Sequence, residues 1–428
     1  MSQVALSPAV KKRPIGLGGW LDRWARRLVL GQLQRLQRGA ICLVEGEQRR
    51  TFGQGENGPT VVLQVHHPHF FRALALGGTI GAAEAYMQGW WSCDDLPAMC
   101  RLAVANMEWM QQRERGWARL AAPARMLGHA LKRNTLRGSR RNIAAHYDLS
   151  NDFFHLFLDD NMMYSSAVFP RPDSSLEEAS RYKVDRICKK LALVPEDHLL
   201  EIGTGWGGFA LHAAREYGCR VTTATISQQQ CELARQRVRA AGLDGRVEIV
   251  LADYRDLQGQ YDKLVSIEMI EAVGHHYFDT YFGCCARLLK PEGLMLLQAI
   301  VIGDWAYERA RRSVDFIKAY IFPGSCIPSV ATMSRSLAEA TDMRLVHLED
   351  IGPHYARTLR AWRMRFWDAE EQVRQLGFTE EFIRMWDFYF AYCIGGFEER
   401  YISDVQMLLA RPANRRSAQL PEIVHGEV

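Results

Sequence analysis

The stretch Leu199-Leu200-Glu201-Ile202-Gly203-Thr204-Gly205-Trp206-Gly207-Gly208 decides how this chain is read. An apolar run ends in a carboxylate and turns through closely spaced glycines into a helix-forming segment. Such a strand-loop-helix cradles nucleotide-like ligands in open α/β sheets. Glycine lets the backbone approach the ligand, and the helix N-terminus offers N–H groups without intrahelical partners. The spacing Gly203-x-Gly205-x-Gly207 differs from the Gly-x-Gly-x-x-Gly of dinucleotide folds. The plainer alternative is an ordinary glycine-rich turn.

Outward from this loop, strand and helix patterns alternate. Strand-like 197–202, helix-like 207–217, strand-like 219–225, helix-like 227–241 and strand-like 246–251 come first. Strand-like 262–268, helix-like 277–290 and strand-like 293–300 follow. Alternation of this kind predicts an α/β fold, a doubly wound Rossmann-like sheet with its ligand at the carboxyl ends of the strands. Residues 302–330 read as an insert, the part beyond as helical and aromatic, and the tail from Arg411 as frayed.

Upstream, Gly39–Val44 and Thr60–Val65 are β-prone runs around a turn at 55–59, and helical patterns run from about Thr79 to Leu127. The expected organisation is a smaller N-terminal α+β domain over 1–125, a basic linker over 126–141, a catalytic domain over 142–410 and a tail over 411–428. The chain has 428 residues, 48% of them hydrophobic and 24% charged, as in globular proteins with a large core. It offers no apolar run long enough to span a bilayer and no signal-peptide core, because Lys11, Lys12 and Arg13 interrupt the N-terminus. Ten cysteines without a Cys-x-x-Cys pair argue against structural zinc or any other metal, and against a disulfide framework. The expected location is cytoplasmic.

Net charge is only +4, yet residues 1–50 hold ten Lys/Arg against Asp22, Glu45 and Glu47. Residues 111–145 hold nine against Glu114 alone. Such blocks suit a polyanionic surface. In Trp20-Leu21-Asp22-Arg23-Trp24-Ala25-Arg26-Arg27-Leu28, aromatic and aliphatic residues recur at helical spacing beside arginines. That favours a peripheral contact with an anionic membrane over nucleic acid. The alternative is a surface helix packing its apolar face on its own domain.

The loop's ligand is read from the next strands. A nicotinamide fold places an acid about twenty residues beyond the glycines. Here Val221-Thr222-Thr223-Ala224-Thr225-Ile226-Ser227-Gln228-Gln229-Gln230 carries none. Leu251-Ala252-Asp253-Tyr254-Arg255-Asp256 then ends the third strand with polar and aromatic groups suited to clamp an adenine.

In order along the chain stand Ala145-His146-Tyr147-Asp148-Leu149-Ser150-Asn151-Asp152-Phe153-Phe154, Met163-Tyr164-Ser165-Ser166-Ala167, the glycine loop, Thr225-Ile226-Ser227 with Gln230, and Asp253-Tyr254-Arg255. Glu268-Met269-Ile270-Glu271-Ala272-Val273-Gly274-His275, Tyr320-Ile321-Phe322-Pro323-Gly324-Ser325-Cys326-Ile327-Pro328-Ser329, His354-Tyr355 and Cys393 before Gly395-Gly396-Phe397 complete the set. This series, over roughly 140–405, resembles the cyclopropane-fatty-acid synthase family. The resemblance implies a class I methyltransferase fold using S-adenosylmethionine. It implies a cofactor site at Tyr164, Ser165, Glu201, Gly203, Gly205, Trp206, Gly207, Thr225, Ser227, Gln230, Asp253, Tyr254 and Arg255. The implied acceptor is a cis double bond in an unsaturated phospholipid acyl chain. Aromatic faces would stabilise the resulting cation, and a bound bicarbonate would take the proton whose loss closes the ring.

On that basis Glu271 and Tyr355 would hold the bicarbonate, with Ser166 and Gln298 standing where many members have cysteine and histidine. Serine would donate through its hydroxyl and glutamine through its amide. If proton loss is slow, a hydride shift gives a methyl-branched or methylene product. Cys393 matches a cysteine often marked as active, but its apolar neighbours suit a buried structural thiol equally. Glu271 has an N-cap alternative and Tyr355 a core alternative. Trp362, Phe366, Trp386, Phe388, Tyr389 and Phe390 read as core or as lining of an acyl channel. Methylation of a non-lipid acceptor, or a membrane-binding protein with a degenerate site, are the competing functions. The oligomeric state, a homodimer included, stays open.

Overall fold

The computed structural model describes residues 19–107 and 149–415. The expected linker, His146, Asp148 and the chain beyond Arg415 lie outside the described residues. The chain divides into two compact units, one running to Leu120 with Glu380–Phe388, the other Ala121–Thr379 with the chain from Tyr389.

In the first unit a four-stranded sheet has the order β2-β1-β3-β4, with β1 Ala40–Glu45, β2 Gln48–Gly53, β3 Thr60–Val65 and β4 Trp91–Cys93. β1 and β3 are parallel; the other pairs are antiparallel. β3 alternates buried and exposed residues, the mark of a sheet with one solvated face. Helix Trp20–Leu33 turns Ala25, Val29 and Asp22 inward. Its opposite side leaves Trp20 69%, Leu21 40% and Leu28 43% exposed. The buried face fits the packing reading of this helix, and the other face stays accessible.

The second unit is built on a seven-stranded sheet of order β10-β11-β9-β8-β5-β6-β7. Its strands are β5 His198–Ile202, β6 Arg220–Thr225, β7 Val247–Leu251, β8 Tyr261–Ile267, β9 Leu289–Ile302, β10 Arg344–Asp350 and β11 Ile402–Ala410. β5 to β9 pair in parallel, as the alternation predicts. β5, β6 and β8 are buried along most of their length, polar residues included, as in a sheet covered on both faces. β11 enters antiparallel between β9 and β10.

β10 and β11 correct the expectation that the C-terminal part is purely helical. The tail is corrected too: Arg411 N–H donates to Gly293 O and Ala413 N–H to Pro291 O, which ties the chain down past Arg411. No helix among the described residues is long and apolar enough to cross a membrane.

Candidate active site

The carboxyl ends of β5, β6, β7 and β8 meet around the glycine loop. Gly203, Gly205 and Gly207 take φ of 103°, 50° and 84°, left-handed values that side chains other than glycine rarely adopt. Their surroundings differ. A Cβ on Gly205 meets nothing within 4 Å, whereas one on Gly208 would lie 2.6 Å from Asn161 O. The middle of the loop is thus open to a ligand, and its end is closed by packing. Trp206 is buried, donates its indole N–H to Asn151 Oδ1 at 2.7 Å and packs on Phe154. Its ring pins the loop rather than facing the opening.

The remaining cofactor candidates form a rim. Thr225 Oγ1 donates to Gln230 Oε1 at 3.0 Å, and Ser227 caps the helix Gln228–Ala240 by accepting from Gln230 N–H. Asp253 is buried and grips Arg255 through two oxygens, at 2.8 and 2.7 Å. The Arg255 guanidinium lies over the Tyr254 ring at 5.3 Å. Tyr164 bonds Tyr389 through their hydroxyls at 3.1 Å, and Ser165 Oγ accepts from Lys183 at 2.8 Å. Glu201 points into the sheet and accepts from Thr223 Oγ1 at 2.6 Å; burial pushes its carboxyl up to about 8.

Beside the loop lies a dense polar cluster centred on Glu268. This residue follows β8 directly and takes φ of 48°, an uncommon backbone for glutamate. Its Oε1 accepts from Ser166 N–H and from Gln298 Nε2, both at 2.8 Å. Its Oε2 accepts from the Tyr355 hydroxyl at 2.6 Å. Gln298 also donates to Asp404 Oδ2 at 2.9 Å, and its own carbonyl accepts from Gln406 at 3.0 Å. Lys190 continues the chain by donating to Gln406 at 2.7 Å. Lys183, fully buried, is the cation whose charge reaches Glu268, Asp404, Glu201 and Asp159.

Glu271 sits one short turn further on. Its Oε1 accepts from Ile300 N–H at 2.5 Å, while its Oε2 is buried without a hydrogen-bond partner. Burial and the neighbouring Glu268 charge push its carboxyl up to about 8. Asp404 is held well above the usual carboxylate range for the same two reasons.

Several expected roles change. Tyr355 bonds Glu268 and not Glu271. The Ser166 hydroxyl donates to Ala167 O at 3.0 Å, so Ser166 serves the cluster through its backbone N–H. Cys393 keeps some exposed surface, but burial pushes its thiol well above the usual range, so it stays protonated and is a poor nucleophile. Trp362, Phe366 and Phe390 are fully buried core. Sequence reasoning passed over Glu268, Asp404, Gln406 and Lys183.

The part of the chain that holds this site matches a known family. The model of the mycolic acid cyclopropane synthetase family matches residues 134–407. The chain belongs to that family. It is accordingly an S-adenosylmethionine-dependent methyltransferase of the cyclopropane synthase type.

Within the family, the chain is 40% identical over 413 residues to the tuberculostearic acid methyltransferase UfaA1 of Mycobacterium tuberculosis, covering 94% of this chain and 95% of that one. It is 37% identical over 357 residues to the cyclopropane-fatty-acyl-phospholipid synthase of Escherichia coli, covering 82% and 87%. Among solved structures it resembles the mycolic acid cyclopropane synthase CmaA1 complexed with SAH and CTAB. That likeness has a TM-score of 0.59 and 32% identity over 63% of this chain and 98% of the other. The synthase fold thus carries the open glycine loop, and the polar cluster beside it is where this chain's own chemistry is read.

Proposed function

We propose that this chain transfers a methyl group from S-adenosylmethionine to the cis double bond of an unsaturated phospholipid acyl chain, and that loss of a proton then closes a cyclopropane ring. The observation that carries this reading is the Glu268 cluster beside the open glycine loop: a buried, multiply hydrogen-bonded carboxylate set next to a cofactor cradle. An ordinary methyl transfer to nitrogen or oxygen has less need of such a group, because its acceptor carries its own lone pair.

The residues fit the cofactor. Gly205 leaves the approach open, the N-terminus of helix Gly208–Glu216 faces the loop, and Thr225, Gln230 and Asp253 form a polar rim. S-adenosylmethionine supplies an electrophilic methyl on a sulfonium. The chain must then orient a weak nucleophile and exclude water, which is largely a matter of positioning. Tyr164 and Phe322, partly exposed and with ring centroids 6.5 Å apart, present aromatic faces that favour positive charge developing on the alkene.

Bicarbonate fits less well. The Gln298 amide and the Tyr355 hydroxyl, two donors expected to surround it, are engaged by Glu268, and the Ser166 hydroxyl, the third, is turned to Ala167 O.

A second product is supported by the relative named for tuberculostearic acid methylation. Ring and branch diverge only after the methyl has been delivered. Lipids from an expressing host should gain one CH2 per modified acyl chain, with cyclopropane protons upfield in the proton NMR spectrum. Vinylic or branched-methyl signals in their place would replace the ring reading, and unaltered lipids would refute both.

The exposed face of helix Trp20–Leu33, with Trp20, Leu21 and Leu28 beside Arg23 and Arg27, suits docking on anionic lipid. Vesicle binding should weaken with salt, and Arg23→Gln and Arg27→Gln should each cost about 1 kcal/mol of it. Binding indifferent to both salt and lipid charge would overturn this docking mode.

A further inference from the structure

We propose that the carboxylate of Glu268 is itself the base of the reaction, receiving the proton lost from the transferred methyl, so that this chain needs no external anion. The inference rests on the function proposed above and assigns a residue to its last step.

Position is the first support. β5 and β8 are parallel neighbours with Ile202 opposite Ser266. Both chains run on from this pair, one into the glycine loop at Gly203 and the other to Glu268 two residues further. A Cβ on Gly203 would touch Met269 at 3.5 Å, so the backbone carrying Glu268 borders the cofactor cradle directly. Glu268 retains accessible surface although protein encloses it, as expected of a group lining an internal pocket.

The second support is the backbone. A non-glycine residue at φ of 48° is held against its preference, and such strain concentrates at functional sites. The side chain is fixed there by three donors, with its own N–H donating to Gln298 O at 2.8 Å. These bonds set both carboxylate oxygens in one orientation, as a base for a single C–H bond requires.

Exclusion is the third. A free anion in this pocket would compete with Glu268 for the same donors and would bring a second negative charge into a buried space. Like charges at such separation are not both sustained. Of the surrounding acids, Glu268 is the one with three donors. Glu271 has one donor and an unpartnered Oε2, and Asp404 shares the Gln298 amide. Burial raises the Glu268 carboxyl, and its three donors with the Lys183 charge act against that to favour the carboxylate.

The step balances within the site. Methyl transfer leaves the acyl chain with a cationic carbon next to the one bearing the new methyl. A C–H bond of that methyl breaks, and its electron pair forms the second carbon–carbon bond, closing the ring. The proton passes to a Glu268 oxygen, which loses it again to water when the product leaves.

The test uses the purified full chain with S-adenosylmethionine and vesicles of unsaturated phosphatidylglycerol, in buffer stripped of carbon dioxide and again with bicarbonate added. The wild-type rate should be the same in both. Glu268→Gly should lose about a hundredfold without bicarbonate and recover with it, because the vacated donors can then hold the anion. Glu268→Gln, which fills the same space without a basic oxygen, should lose as much and not recover. Circular dichroism and thermal melts establish that each variant is folded. A wild-type rate that collapses on removal of bicarbonate, or a Glu268→Gly rate that needs none, overturns the proposal.

A separate arm measures binding of carbon-13 bicarbonate by NMR, which requires no turnover. Binding to Glu268→Gly but not to the wild type supports the filled anion site even if the acceptor proves not to be a lipid. Binding to the wild type overturns it.

Discussion

Tyr355→Phe should lower the turnover rate about a hundredfold while leaving the affinity for S-adenosylmethionine near wild type. The substitution keeps the ring, which packs against Phe397 at 4.5 Å and Trp362 at 6.1 Å, and removes only the hydroxyl. That hydroxyl gives Glu268 Oε2 its hydrogen bond at 2.6 Å, in a part-buried site. Without it, the carboxylate loses a donor that favours its charged form, and a larger share of the enzyme holds Glu268 protonated. Proton loss from the new methyl then slows relative to competing hydride shifts. The variant's residual product should therefore be richer in methylene or methyl-branched alkene chains, formed by a hydride shift followed by proton loss at another carbon, as vinylic signals in the NMR of the extracted lipids would show. A raised KM for the cofactor with unaltered kcat would mean that Tyr355 serves the cradle instead.

Lys183→Met should be the most destabilising single change in the second unit. Lys183 is completely buried and balances Glu268, Asp404, Glu201 and Asp159. Removing one partner of a buried charge cluster typically costs about 3–5 kcal/mol, which in a domain of this size lowers Tm on the order of 10 °C. The loss should depend on pH, and its sign follows from the acids. Glu201 and Glu271 are raised to about 8 in the folded chain, above the ordinary value of 4.5. Between those limits the folded state binds more protons than the unfolded one, so their contribution to stability falls as pH rises through that window. Without Lys183, the carboxyls it held down rise further, and the deficit grows towards alkaline pH. Melts of variant and wild type should lie closer together at pH 5 than at pH 8. Equal deficits at both would reduce Lys183 to a packing role.

How legible all this was in the sequence depended on how local each signal is. β5 to β9 could be read because parallel, doubly covered strands are short apolar runs separated by helical periods. β10 was missed because it is an edge strand whose residues stay largely exposed, with Leu345 at 44% and Val346 at 46%. β11 was missed because its apolar run follows an aromatic helix and finds its partners, β9 and β10, far back in the chain.

The site divides in the same way. The glycines and the polar ends of β6 and β7 carry their meaning in adjacent residues. Gln298, Asp404 and Gln406 meet only through the sheet order, and Lys183 reaches the acids from the helix Leu176–Lys190, neither of which a local pattern encodes. Glu268 was within reach: it is the first residue past an apolar strand, whereas attention went to Glu271, three residues on in the same motif. The residue just beyond a strand end is the one that faces the neighbouring loop.

β11 also bears on how the enzyme comes into being. Asp404 and Gln406, which complete the polar cluster through Gln298, lie on the last strand of the sheet to leave the ribosome, and it must insert between two strands made earlier. A nascent chain holding only β5 to β9 already has the cofactor loop, but the hydrogen-bonded floor beneath Glu268 is unfinished. The proton-accepting half of the site is thus completed only when the final strand is seated.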